Sequence, residues 1–117
     1  MTTRPRNLTD LEVSPFQKRP AYRYIRASDH LPTIEALPDD GKEMALVKLF
    51  DPTSQWTWYV AAYTPETREA FGLVTGDADE YGYFSMPELV AIRGLYKLPI
   101  ERDLHWKPRP LKECHGS

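Results

Sequence analysis

Hydrophobic and polar positions change rhythm near residue 43. Before that point apolar residues are scattered between Pro5, Pro15 and Pro20, and each proline removes a backbone donor and fixes its own φ, so no long helix fits. The segment "YRYIRA" is more regular. Tyr22, Tyr24 and Arg26 alternate with Arg23 and Ile25, the pattern of a short edge strand. "TIEAL" at 33–37, held between Pro32 and Pro38, suits a single helical turn, and "DDG" at 39–41 suits a loop.

From "MALVKLF" at 44–50 the apolar period becomes two, which predicts a strand reversed by "DPTS". In "QWTWYVAAYT" at 55–64, strict alternation places Trp56, Trp58, Val60 and Ala62 on one face, expected to be core. Thr57, Tyr59, Ala61 and Tyr63 then face the other way. "AFGLVTG" sets Phe71, Leu73 and Thr75 against Gly72, Val74 and Gly76, whose glycines leave room for rings on a neighbouring strand. "DADE" at 77–80 is an acidic turn and "YGYFS" a returning strand. Connections this short join antiparallel neighbours, so the expected fold is α+β, an antiparallel four-stranded β-meander.

One helix is expected on the C-terminal side of that meander. In "SMPELVAIRG", Ser85 and Glu88 make a capping box, Pro87 tolerates an early helical position and Gly94 can stop the helix, giving a helix from about 86 to 93. Leu89 and Ile92 share a face and should pack on the sheet, with Arg93 near the negative end of the helix dipole. The following "LPIERDLHWKPRPL" reads as an extended, proline-rich tail.

Composition adds bounds. A chain of 117 residues with 41% hydrophobic content fits one domain, and its size leaves little spare chain for a deep cleft. Cys114, the only cysteine, excludes an internal disulfide and fits a reducing compartment. "MTTRPRNLTDLEV" carries no apolar run of the secretory kind, and no segment nears the roughly 20 apolar residues of a membrane span, so a cytoplasmic protein is expected. The net charge of −2 conceals an asymmetry. Residues 1–29 hold six basic residues against three acids, an irregular basic arm, whereas 30–117, the expected α+β domain with its tail, hold nine against fourteen.

The motifs "VKLFDP", "WTWY", "FG", "GYFS", "EL..IRG" and "LPIERDLHW" occur in an order and spacing that resemble a family of small bacterial proteins of unknown function. The resemblance runs over about 34–111. Members of that family are carried by plasmids, integrative elements and phages, often beside genes for antirestriction-like proteins. The resemblance implies an accessory role in a mobile element, supplies no catalytic assignment, and does not extend to the basic arm.

Candidate chemistry is sparse. In an extended "ERDLH", Glu101, Asp103 and His105 share a face, and two carboxylates with an imidazole can hold a divalent metal. The structural alternative, in which the acids hold Arg93, Arg102 or backbone donors, is preferred, so neither metal nor cofactor is expected. Phosphate loops and nucleophile elbows are missing from the sequence, and Glu80 and Glu88 read as a solvated turn and a helix cap rather than an acid–base pair. A non-enzymatic protein-binding factor is therefore the first expectation. Its contact residues would be Asp77, Asp79, Glu80, Tyr59, Tyr63 and Tyr81, offered to a basic surface on a nucleic-acid-processing complex such as a restriction or CRISPR system. The second is a single-stranded nucleic-acid module, with Tyr59, Tyr63, Tyr81 and Tyr83 stacking bases and Arg4, Arg6, Lys18, Arg19 and Arg23 tracking phosphates.

Overall fold

The computed structural model describes residues 10–16, 19–38, 40–93 and 98–115. Two strands come first, β1 (Asp10–Val13) and β2 (Arg23–Arg26), paired antiparallel with a shifted register. The two-residue β3 (Met44–Ala45) leads into β4 (Val47–Phe50), and the long strands β5 (Thr57–Thr64), β6 (Glu69–Thr75) and β7 (Asp79–Ser85) follow. Helix α1 (Met86–Val90) and two short strands, β8 (Glu101–Arg102) and β9 (Arg109–Pro110), complete the order. The main sheet runs β7-β6-β5-β4-β8 with every neighbouring pair antiparallel, while β3 pairs with β9 apart from it. The sheet thus has five strands rather than the four of the expected meander. β8 pairs with β4 through only two residues, too few to show a period in sequence.

β5 is central, and its side chains are buried on both faces. A bulge is the reason that simple alternation fails along it. Val60 pairs with Gly72 and Ala62 with Phe71, so Ala61 is an extra residue and every side chain after it changes face. Trp58 and Val60 therefore share a core with Tyr63, together with Tyr24, Ile25, Met86, Leu89 and Ile100. Tyr59, Ala61 and Leu73 lie on the opposite face under Leu111 and Cys114, flanked by Leu37 and Trp106. Gly72 permits the close approach at the bulge, because a Cβ there would stand 1.8 Å from the Tyr59 carbonyl oxygen.

Trp58 is core, as expected, at 8% exposed, but Trp56 is 39% exposed. Trp56 precedes β5, where strand alternation does not apply, and its ring stacks on Trp58 at 6.3 Å and lies over Gly76. The turn before it is built by Asp51, whose Oδ1 accepts from the Thr53 amide at 2.8 Å and the Thr53 hydroxyl at 2.7 Å.

The described part of the basic arm is not irregular. Tyr24 and Ile25 of β2 are fully buried, and the Tyr24 hydroxyl donates to the Ile100 carbonyl at 2.5 Å. From β1, the Glu12 carboxylate accepts from the Tyr63 hydroxyl of β5 and, bidentately, from Arg68 Nε at 2.8 Å and Nη2 at 2.7 Å. Asp29 takes the Arg102 guanidinium at 2.6 and 2.7 Å. Acids and aromatics of residues 10–29 thus join that segment to the main sheet.

α1 begins as expected, with Ser85 Oγ accepting from the Glu88 amide at 3.3 Å, but it spans five residues, not eight. The Ala91 and Ile92 amides bond to carbonyls three residues back, tightening the last turn, and Arg93 then bridges to Pro99. Met86, Leu89 and Val90 are buried, while Ile92 lies outward instead of on the sheet. Gly94, the expected stop, lies outside the described residues.

Candidate functional site

Two surfaces carry chemistry, and the first is the edge of the main sheet. Among the described residues β7 has a strand partner on one side only, namely β6. Cross-strand pairing sets Tyr81 opposite Leu73 and Tyr83 opposite Phe71, so both rings stand on the face that also carries Tyr59. They are 58% and 62% exposed, and Phe71 steadies Tyr83 at a ring distance of 5.2 Å. Asp77 is exposed in the turn before the strand, while Asp79 and Glu80, expected in that turn, are the first two residues of β7 and are also exposed, Glu80 on the face opposite Tyr81. Four of the expected contact residues therefore lie along β7 and the turn before it, with Asp79, Tyr81 and Tyr83 on one face.

Tyr59 and Tyr63 do not join them. They are 7% and 3% exposed, because β5 is covered on both faces and the bulge turns Tyr63 inward. Burial followed by the neighbouring Glu12 carboxylate raises the Tyr63 hydroxyl well above the usual tyrosine range, and burial raises Tyr59 as well. The four-tyrosine platform is therefore not assembled, and only Tyr81 and Tyr83 reach solvent. Of the expected phosphate-tracking residues, Arg19 is exposed and Arg23 pairs with Asp10 at 3.7 Å, while Arg4, Arg6 and Lys18 lie outside the described residues.

Glu101, Asp103 and His105 all line one surface pocket of about 470 Å³, but β8 ends at Arg102 and a turn at 104–105 breaks the alternation. Glu101 accepts from the Tyr22 hydroxyl at 3.4 Å. Asp103 accepts from the His105 amide at 2.9 Å and pairs with Lys48 at 3.8 Å. Among the described residues no three His, Cys, Asp or Glu converge as a metal site. Arg102, considered as a partner for these acids, binds Asp29 and the Tyr24 carbonyl instead.

The second surface was not anticipated. An adjoining groove of about 540 Å³ shares Lys48, Asp103 and His105 with that pocket and continues along Trp106, Lys107, Arg109 and His115. Trp106 is its centre. The indole Nε1 donates to the Ala45 carbonyl at 3.0 Å, and the ring meets Tyr59 at 5.4 Å. Lys48 Nζ stands 5.6 Å from the Trp106 ring centre and 5.8 Å from that of Tyr59, and the Arg109 guanidinium carbon is 4.8 Å from the Trp106 ring. The signal was present in "HWKPR", where basic residues flank a tryptophan, but Lys48 and Tyr59 reach the group only through the sheet. Beneath the groove, burial raises the Cys114 thiol, which donates to the Pro110 carbonyl at 3.6 Å.

No helix among the described residues is long and apolar enough to cross a membrane. The family model described as "Protein of unknown function (DUF2958)" matches residues 24–112, more than half of the chain. No curated protein and no solved structure matches it.

Proposed function

The chain belongs to this DUF2958 family of unknown function, and from that premise we propose that it is a non-enzymatic protein-binding factor whose contact surface is the β7 edge. The observation that carries the reading is the pair of exposed rings, Tyr81 and Tyr83, on an edge strand with an acidic start. Tyrosine supplies rigid contact area with a polar tip, and an edge strand offers unpaired amides and carbonyls to an extended segment. Asp77, Asp79 and Glu80 give that edge a negative field, which favours a basic partner and speeds the encounter. The partner class is a basic segment on a nucleic-acid-processing complex, and the resemblance to mobile-element proteins makes host defence complexes the first to search. Single-stranded nucleic acid, the alternative partner for this surface, is disfavoured by the same acids and by the burial of Tyr59 and Tyr63.

The test is partner capture from the native host followed by association kinetics with the purified partner. Replacing Asp77, Asp79 and Glu80 with serine should slow association at low salt, and the difference should shrink as added salt shortens the Debye length from about 10 Å at 0.1 M. Tyr81→Ser with Tyr83→Ser should speed dissociation instead. A partner that binds all these variants at the native rates would refute the assignment of β7.

A further inference from the structure

The geometry points to the Trp106 groove as a binding site for a nucleoside monophosphate group. This inference does not rest on the β7 reading, since it uses different residues and a different ligand chemistry. Its first support is charge. Lys48, Lys107 and Arg109 line the groove against Asp103 and Glu113, although residues 30–117 carry nine basic and fourteen acidic residues overall. Lys48 and Asp103 pair with each other at 3.8 Å, which leaves Lys107 and Arg109 against Glu113. Among the described residues no carboxylate lies within ion-pairing distance of Lys107 or Arg109. A local excess of cations on an acidic body favours an anionic ligand.

The second support is shape and order. A groove of about 540 Å³ falls in the size range of small-ligand sites and is too large for a lone oxyanion. Trp106 is fixed by its bond to Ala45, and Arg109 is fixed twice, by its strand pairing with Ala45 and by the indole beneath its guanidinium. The Arg109 guanidinium, its carbon 4.8 Å from the indole centre, retains N–H donors of which a phosphate can accept two, and an exposed guanidinium also stacks against a base. Lys107 adds an exposed point charge at the rim. Anion and flat ring together define a nucleotide, either free or as part of a strand.

The experiment is an NMR titration of the whole chain with AMP, adenosine and inorganic phosphate, read at the Trp106 indole N–H. AMP is expected to shift that resonance saturably, with phosphate and adenosine each at least about tenfold weaker, because each makes only part of the contacts. Arg109→Ala should weaken AMP about tenfold by loss of a bidentate charge-assisted contact, and Arg109→Lys should recover only part of it. Glu113→Gln should strengthen AMP binding by removing a like charge. If Arg109→Ala loses the native fold, Lys107→Ala at the exposed rim carries the same expectation of weaker binding. A short oligodeoxyadenylate that binds more tightly than AMP, still dependent on Arg109, supports the site and identifies the strand as its source. Absence of saturation by either AMP or the oligonucleotide overturns the inference, as does equal affinity for AMP and phosphate. A poly-glutamate peptide that occupies the groove where AMP does not also overturns it, in favour of an acidic protein segment.

Discussion

Arg68→Ala should cost far more than the loss of an ordinary surface ion pair. The Arg68 side chain is 46% exposed but its partner is not, since the Glu12 side chain is 1% exposed and lies beneath it. Truncation removes both guanidinium bonds and leaves the carboxylate with the Tyr63 hydroxyl. Breaking a buried pair in this way costs about 3–5 kcal/mol, and the solvent around the exposed arginine argues for the lower end, about 3 kcal/mol. At roughly 4 °C per kcal/mol for a domain of this size, the melting temperature should fall by about 12 °C. Backbone conformation supplies an internal check. Arg68 has φ 56°, a left-handed conformation that costs a non-glycine residue about 1 kcal/mol, so Arg68→Gly should be less damaging than Arg68→Ala by about that amount. Urea denaturation of Arg68→Ala, Glu12→Gln and the double variant should give a coupling of at least about 2 kcal/mol. A cost below about 1 kcal/mol for Arg68→Ala, with no coupling, would refute the claim that this pair ties β1 to the sheet.

Three further expectations follow from the same structure. Trp58→Ala should destabilise by about 3–5 kcal/mol and Trp56→Ala by much less, because only the first ring is core; equal losses in urea denaturation would contradict the faces assigned to β5. Gly72→Ala should be severely destabilising, since its Cβ would overlap the Tyr59 carbonyl oxygen, whereas Gly82→Ala meets nothing within 4 Å and should be tolerated; thermal melts distinguish them. In alkali, burial holds the Tyr24 hydroxyl protonated up to about 12, while the unfolded chain releases that proton near 10. Its contribution is therefore complete below pH 10 and is lost as pH rises towards 12, at about 1.4 kcal/mol per pH unit, and Tyr24→Phe should flatten the slope measured by denaturation.

What the sequence determined by itself was local. The strands at 57–64, 69–75 and 79–85, their antiparallel succession and the Ser85 cap follow from period-two patterning, short turns and a capping pair, all of which act over a few residues. The exposure of Tyr81 was legible for the same reason, whereas Asp79 and Glu80, expected in a turn, begin β7. Tertiary structure decided the rest. Strict alternation cannot reveal an extra residue at Ala61, so the inward turn of Tyr63 depended on how β5 pairs with β6. The burial of Tyr59 depended on a tail that reads as polar and proline-rich yet lays Leu111, Cys114 and Trp106 over the second face. Glu12 looked like one charge in a basic arm until Arg68 and Tyr63, more than fifty residues away, gave it partners. The Trp106 groove likewise exists because Lys48 and Tyr59 of neighbouring strands meet a segment from the end of the chain. Pattern along a chain specifies which way residues point within an element; which side chains meet across elements is set by packing and by the need to pair buried polar groups.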